Sequence, residues 1–203
     1  DAGPDQTVAE GSLVTLSGSA SRDPDGDPLT YHWEVVGGPA VTLPDPSAME
    51  PSFLAPDDGV YTFRLTVDDG RGGTASDEVV VTVNNVAPSV GAIVPPAAPA
   101  RVYTSLTFTA SFTDPGTRDT HTAVWDWGDG RMSTGSVTES GGSGSVSGRH
   151  AYTRSGIFTI HVTVTDDDGG MGSSVLETFE VYACVVPSSI ASDFNRTPIP
   201  AGR

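Results

Sequence analysis

The sequence predicts an all-β chain of two tandem domains, and three observations carry that prediction. Gly (24) and Pro (16) are abundant among many Thr, Val and Ser, and no apolar stripe of helical period appears. That is the composition of short strands joined by many turns. Apolar and polar residues alternate over several short stretches, most cleanly at 60–67, where Tyr61, Phe63, Leu65 and Val67 share one face and Thr62, Arg64 and Thr66 the other. The pattern also recurs. Gly59-Val60-Tyr61-Thr62-Phe63-Arg64-Leu65-Thr66-Val67 lies against Gly156-Ile157-Phe158-Thr159-Ile160-His161-Val162-Thr163-Val164 without a gap. In the same register Asp69 falls on Asp166 and Gly72-Gly73 on Gly169-Gly170, and upstream, in a register five residues shorter, Trp33 falls on Trp125 and Asp27 on Asp119, each Asp six residues before its tryptophan. The repeat places domains at 1–86 and 87–183 of the 203 residues. Residues 184–203 are a linker or the start of a further unit, because Val185-Val186-Pro187-Ser188 echoes Val86-Ala87-Pro88-Ser89.

In chain order, 1–6 leads in and 12–17 alternates as a first strand. Ser21-Arg22-Asp23-Pro24-Asp25-Gly26-Asp27-Pro28 is an acidic turn. The strand at 29–36 points Leu29, Tyr31, Trp33 and Val35 inward. A Pro-rich stretch at 37–56 offers short strands at 41–43 and 52–54. The strand at 60–67 is closed by Asp68-Asp69-Gly70-Arg71-Gly72-Gly73, and 78–83 is the last strand of the first unit. The second unit repeats the series: a strand at 105–113, the acidic turn Asp114-Pro115-Gly116-Thr117-Arg118-Asp119, and the tryptophan strand 123–127. Gly128-Asp129-Gly130 stops that strand sharply, since Asp-Gly readily takes positive φ. Residues 132–146 are Ser/Gly-rich and read as a long hairpin or loose loop. Strands at 157–164 and 176–182 follow, with Asp166-Asp167-Asp168-Gly169-Gly170 between them.

The chain has a net charge of −16 with only 18% charged residues, and its ten basic residues are all Arg. Such a surface repels nucleic-acid phosphate and anionic membranes and attracts divalent cations. No apolar run is long enough to span a membrane, so no membrane insertion is expected of this segment. Lacking an initiator Met and a signal peptide, it reads as a fragment of a longer protein. The single Cys184 has no partner for an internal disulfide, which leaves bound metal as the means of stiffening.

Trp125-Asp126-Trp127-Gly128-Asp129-Gly130, His150-Ala151-Tyr152, Gly156-Ile157-Phe158 and Val162-Thr163-Val164-Thr165-Asp166 together resemble a PKD (polycystic kidney disease) repeat. The first unit has Asp23-Pro24-Asp25-Gly26-Asp27, Trp33 and Val67-Asp68-Asp69-Gly70. It carries Val35-Val36-Gly37-Gly38 where the family's W-D-F-G-D-G would continue, so it resembles divergent, cadherin-like relatives. The resemblance implies two seven-stranded immunoglobulin-like (PKD-type) β-sandwiches, used extracellularly in strings of repeats or beside a secreted enzyme's catalytic domain.

The acidic turns concentrate the chemistry. Asp23, Asp25 and Asp27 are expected to converge with Asp68 or Asp69 in the first domain, and Asp114 and Asp119 with Asp166 or Asp168 in the second. Clustered carboxylates repel unless a cation or protons hold them, and Ca²⁺ takes six to eight such oxygens. The resemblance adds a polar linker ligand, matched by Asn85 (or Asn84) for the second domain, with Asp1 nearest for the first. The competing reading is plain turn chemistry, in which Asp and Pro are favoured for their own sake. Ca²⁺ is the favoured reading in the first domain. The second is the poorer cage, because Thr117 stands opposite Asp25.

Other chemistries fail on the residues. Asp23, Asp25 and Asp27 have EF-hand spacing, but Pro28 stands where that loop needs Gly, and the flanks are strands. No two His residues have zinc-binding spacing. No Ser sits in a nucleophile elbow, so no enzyme is expected. Alternation turns most aromatics inward, leaving Tyr103, Tyr152 and Tyr182 as candidate surface rings. Asn195-Arg196-Thr197 is a glycosylation sequon. The expected function is therefore a non-catalytic, Ca²⁺-stiffened spacer or adhesion segment of a larger secreted or cell-surface protein. Its expected partners are neighbouring repeats and a protein or polysaccharide at a cell surface or matrix. The alternative is an accessory module that binds a carbohydrate or collagen polymer for a linked secreted hydrolase. High Gly and Ala without Lys points to a GC-rich, bacterial gene.

Overall fold

The computed structural model describes residues 1–97 and 99–183. The expectations for Cys184, the 184–203 segment and the sequon at Asn195 lie outside them. Every regular element among the described residues is a β-strand. In the first domain, β1 (Gln6–Ala9), β6 (Thr74–Asn84), β5 (Gly59–Asp68) and β3 (Thr30–Gly37) form one sheet in that order. It faces a pair made of β2 (Leu13–Thr15) and β4 (Ser52–Leu54). In the second, β11 (Met132–Thr134), β10 (Thr122–Asp126), β14 (Gly156–Thr165), β15 (Met171–Tyr182) and β8 (Ala100–Arg101) form a five-stranded sheet. Against it lie β12 (Ser136–Glu139), β13 (Ser143–His150), β9 (Leu106–Thr113) and β7 (Ser89–Val90). Each domain is an immunoglobulin-like sandwich of two sheets.

The strand counts are six and nine, against the seven expected. The first domain has fewer because Pro39, Pro44, Pro46 and Pro51 cannot donate to a ladder. Residues 41–43, read as a possible strand, therefore stay irregular, and the loop is tacked onto the β3 edge through Trp33, whose backbone N–H donates to Pro46 O (2.8 Å) and whose indole N–H donates to Ala48 O (3.1 Å). The second domain has more because the Ser/Gly-rich stretch orders into β11, β12 and β13, with β13 paired along the whole of β9. Three further short strands, β1, β7 and β8, escaped the alternation pattern. β1 and β8 are four and two residues long and pair parallel at a sheet edge, with β6 and β15 respectively.

Alternation decides the cores. Tyr61, Phe63, Leu65 and Val67 are buried in one, and Phe158, Ile160, Val162 and Val164 in the other; the two cores share no residue. Trp125 and Trp127 share a face and stack with centroids 5.3 Å apart and planes 4° from parallel. His150 continues the stack on Trp127 at 5.0 Å, and its Nε2 meets Asp129 Oδ2 at 2.9 Å. Gly128 ends the strand at φ 71°, where a Cβ would collide with Thr159 O. Tyr152 corrects the expectation of a surface ring. It is fully buried, lies 4.2 Å from Phe158, and donates its hydroxyl to Trp127 O at 3.0 Å. The chain leaving β13 turns inward there, and the phenol closes the open end of the tryptophan strand. Tyr103 and Tyr182 are exposed, 75% and 48%. No helix among the described residues is long and apolar enough to cross a membrane.

Candidate metal centre

In the first domain Asp23, Asp68 and Asp69 each use one carboxylate oxygen to shape their own turn. Asp23 Oδ1 accepts from the N–H groups of Asp25 (2.8 Å) and Asp27 (3.1 Å). Asp68 Oδ1 accepts from Gly70 N–H (2.6 Å), and Asp69 Oδ1 from Arg71 (2.7 Å) and Gly73 (2.9 Å). The Arg71 and Gly73 bonds hold the Asp69 carboxyl below its ordinary range. Arg71 Nη2 sits 3.0 Å from Asp27 Oδ1 and pairs with that carboxylate. Asp23 and Asp69 line one shallow recess, together with Arg22, but Asp23, Asp25, Asp27, Asp68 and Asp69 supply no trio of converging oxygens. Their geometry is that of turns stabilised by Asp.

The second domain's acids meet at the junction, and the first domain adds to them. Residues 85–88 connect β6 to β7. Glu10, in the turn after β1, accepts Val86 N–H at 2.6 Å through Oε1, while its own N–H donates to Asn84 O. Asn85 Nδ2 donates to Asp166 Oδ2 at 3.2 Å. Asp166 Oδ1 accepts from Asp168 N–H (3.1 Å) and Gly170 N–H (2.7 Å), which shapes the turn after β14. The backbones close in around these contacts. Arg118 N–H reaches Pro56 O at 3.3 Å, and a side chain on Gly11 would press on Pro115. Glu10, Asp114, Asp119 and Asp166 are thereby all buried.

Asp114 is braced from behind. Its Oδ1 accepts Gly116 N–H (2.9 Å), its Oδ2 meets His121 Nε2 (3.1 Å), and its N–H donates to Gly142 O (2.7 Å). His121 Nδ1 in turn meets Glu139 Oε2 at 2.7 Å, on the far sheet. Burial is the largest single effect and favours the neutral imidazole of His121, but the hydrogen bonds and charges of Asp114 and Glu139 together outweigh it and raise its affinity for the proton. The repeat alignment puts Leu29 in this place in the first domain, so that domain has no such brace. The Ser/Gly hairpin thus holds a carboxylate in place.

Asp119 contrasts with Asp114: both its oxygens are buried without a hydrogen-bond partner, as are Glu10 Oε2 and Asn85 Oδ1. Oxygens of Glu10, Asp114 and Asp119 lie within 4.8 Å of one another, and so do oxygens of Asp57, Asp119 and Asp168. Two unit charges at such separations repel by about 3–4 kcal/mol at an effective dielectric near 20. The consequence is a shift of both central groups. Burial, opposed by the Val86 N–H bond and reinforced by Asp119 and Asp114, pushes Glu10 up to about 7. Burial followed by the charge of Asp114 and Asp57 pushes Asp119 up to about 7. At neutral pH the cluster must take up protons or a cation. The donors are carboxylate and amide oxygens, the set a hard cation prefers, and oxygens around Ca²⁺ at about 2.4 Å stand at most about 4.8 Å apart. The residues fit Ca²⁺. Glu10 and Asp57 are absent from the sequence reading, which placed the ligands on the acidic turns before the tryptophan strands and after the strands at 60–67 and 157–164, with Asn85 (or Asn84) and Asp1 as the polar additions.

Comparison with known proteins gives matches in both domains. A family profile described as "K319L-like, PKD domain" matches residues 2–83, and one described as "PKD domain" matches residues 85–181. The chain is 31% identical over 159 residues to the mouse dyslexia-associated protein KIAA0319-like protein, covering 76% of this chain and 15% of that one. It is 41% identical over 73 residues to human dyslexia-associated protein KIAA0319, covering 34% and 6%. It is 38% identical over 79 residues to human low-density lipoprotein receptor-related protein 11, covering 38% and 16%. The chain thus spans a small fraction of these curated relatives. Among solved structures it is similar to the PKD1 domain of Vibrio anguillarum Epp, with 25% identity, covering 49% of this chain and 99% of that one at a TM-score of 0.36. It is also similar to the PKD domain from KIAA 1837 protein, with 33% identity, covering 41% and 83% at a TM-score of 0.37.

Proposed function

This chain belongs to the PKD domain family as two tandem domains, and on that basis we propose that it is a non-catalytic, extracellular spacer and adhesion segment of a larger secreted or cell-surface protein, with Ca²⁺ stiffening its junction. One observation carries the Ca²⁺ part: the buried, unpartnered oxygens of Glu10 and Asp119 meet across the junction from different domains. Without a cation the junction is held by a few hydrogen bonds, such as Arg118 N–H to Pro56 O and Asn85 to Asp166, and is opposed by carboxylate repulsion. With Ca²⁺ the same carboxylates become the tie. A string of such units would transmit force and hold spacing at a cell surface only while Ca²⁺ is present.

Melting of the full chain in millimolar CaCl₂ and in EDTA tests this reading. At free Ca²⁺ of about 100 times the dissociation constant each site adds about 2.7 kcal/mol, so the melting temperature should rise by several degrees. Identical melting in both conditions rules the Ca²⁺ part out. The polymer-binding alternative needs exposed rings. Tyr103 and Tyr182 supply two, and Arg101 and Pro99 line a recess beside Tyr182. Retention of the chain on chitin, cellulose or collagen, lost in Tyr103→Ala, would favour that reading.

A further inference from the structure

We propose that the junction is a two-cation site in which Asp119 bridges an inner ion, held by Glu10 and Asp114, and an outer ion, held by Asp57 and Asp168. The inference rests on the Ca²⁺ reading of the junction and adds the number of ions and the ownership of each. Among the described residues two groups of converging oxygens are present and they share one residue, Asp119. Asp119 is also the residue with both oxygens buried and unpartnered. A single ion needs only one of them, or both in bidentate fashion, and would leave Asp57 and Asp168 facing each other without a cation. A carboxylate bridging two ions gives one oxygen to each, and so accounts for both orphan atoms.

Charge leads to the same count. The two trios hold five carboxylates: Glu10, Asp57, Asp114, Asp119 and Asp168. One Ca²⁺ leaves three of their charges uncompensated in a site where four further acids stand nearby or behind, namely Asp58, Asp166, Asp167 and Glu139. Two Ca²⁺ leave one. The environments differ as well. Glu10, Asp114 and Asp119 are all buried, so the inner ion would be nearly dry, whereas Asp168 is exposed, so the outer ion would keep water ligands.

Both ions straddle the domains, since Glu10 and Asp57 come from the first and Asp114, Asp119 and Asp168 from the second. The corresponding pole of the second domain shows that Glu10 and Asp57 are particular to this junction. Gly11 N–H donates to Ala55 O and Tyr103 N–H to Tyr152 O, each at 2.8 Å, and Gly11 and Tyr103 both have positive φ, 73° and 61°. That equivalence sets Glu10 opposite Val102, and the gapless strand register sets Asp57 opposite Arg154. The scaffold does not need acids at these places, and where the first domain touches the second it has them.

Native mass spectrometry of the full chain titrated with CaCl₂ counts the ions, with near-ultraviolet circular dichroism reporting that each variant is folded. Two Ca²⁺ are expected for the wild type, one for Asp168→Asn, and none at the junction for Asp119→Asn. Asp69→Asn should still hold two. A wild type that saturates at one Ca²⁺, unchanged by Asp168→Asn, overturns the two-ion inference and leaves the Ca²⁺ reading standing. A wild type that binds none overturns both. Two ions retained by a folded Asp119→Asn place them elsewhere and overturn the bridge.

Discussion

Replacing Asp119 by Asn should stabilise the protein in EDTA and destabilise it in Ca²⁺, a reversal of sign from one substitution. Asn keeps the size of the side chain and removes its charge. In the metal-free protein above pH 7 that charge is buried beside Asp114 and Asp57, which is why its proton is held up to about 7 instead of near 3.8. A displacement of that size corresponds to an upper bound of about 4 kcal/mol of differential interaction. The domains can relax apart and admit water, so a gain of about 1–2 kcal/mol is the realistic expectation, or roughly 5–10 °C for a domain of this size. In saturating Ca²⁺ the wild type carries the extra stability of the bound ions, about 2.7 kcal/mol per site at 100 times the dissociation constant. Asp119→Asn loses most of it. The assay is differential scanning calorimetry of both proteins at pH 8, in EDTA and in CaCl₂. A variant equally destabilised under both conditions would refute the reasoning, because Asp119 would then be an ordinary structural residue.

Other perturbations separate scaffold from site. Trp125→Ala removes a fully buried ring stacked on Trp127 and should cost about 3–5 kcal/mol, unfolding the second domain while the first still melts cooperatively by calorimetry. Asp69→Ala deletes acceptors for Arg71 and Gly73 N–H; it should lower the first domain's stability by about 1 kcal/mol and leave the Ca²⁺-induced shift in melting intact. The pH dependence has a definite sign. Glu10 and Asp119 titrate near 7 in the folded protein and near 4.5 and 3.8 unfolded, so between about pH 4 and 7 the folded state binds more protons. Stability in EDTA should therefore fall as pH rises through that window and level off above it, and Ca²⁺ should flatten the slope. Melting curves at pH 5, 6, 7 and 8 check this; stability that rises towards pH 8 in EDTA would contradict it.

What could be read from the sequence follows from which forces act locally. Alternation at 60–67 and 157–164 reports burial on one sheet face, and both stretches lie within ten-residue strands whose apolar residues fill the cores. β1 and β8 were invisible because short parallel edge strands are fixed by their partner, not by a pattern of their own. Counting carboxylates favoured the Asp23-Pro24-Asp25-Gly26-Asp27 turn; there Asp23 Oδ1 accepts the N–H groups of Asp25 and Asp27, and Asp27 pairs with Arg71. Asp119, in the sparser turn, is left unpartnered because the first domain closes over it. Glu10 and Asp57 lie 109 and 62 positions before Asp119 in the numbering, and only the docking of two domains brings them to it. A signal was present in the repeat itself. The strand register sets Asp57-Asp58 against Arg154-Ser155, so acids sit at one pole of the first domain that the second lacks.

The central claim is that cations tie the two domains into one rigid body through carboxylates drawn from both. Spin labels on exposed positions of each domain, such as Arg64→Cys on β5 and Arg149→Cys on β13 in a Cys184→Ser background, would report the distance between domains by pulsed electron resonance. The distance distribution should be narrow in CaCl₂ and broad in EDTA at pH 8, with Asp119→Asn unable to recover the narrow one on adding Ca²⁺. A distribution of the same width in CaCl₂ and EDTA would contradict that claim.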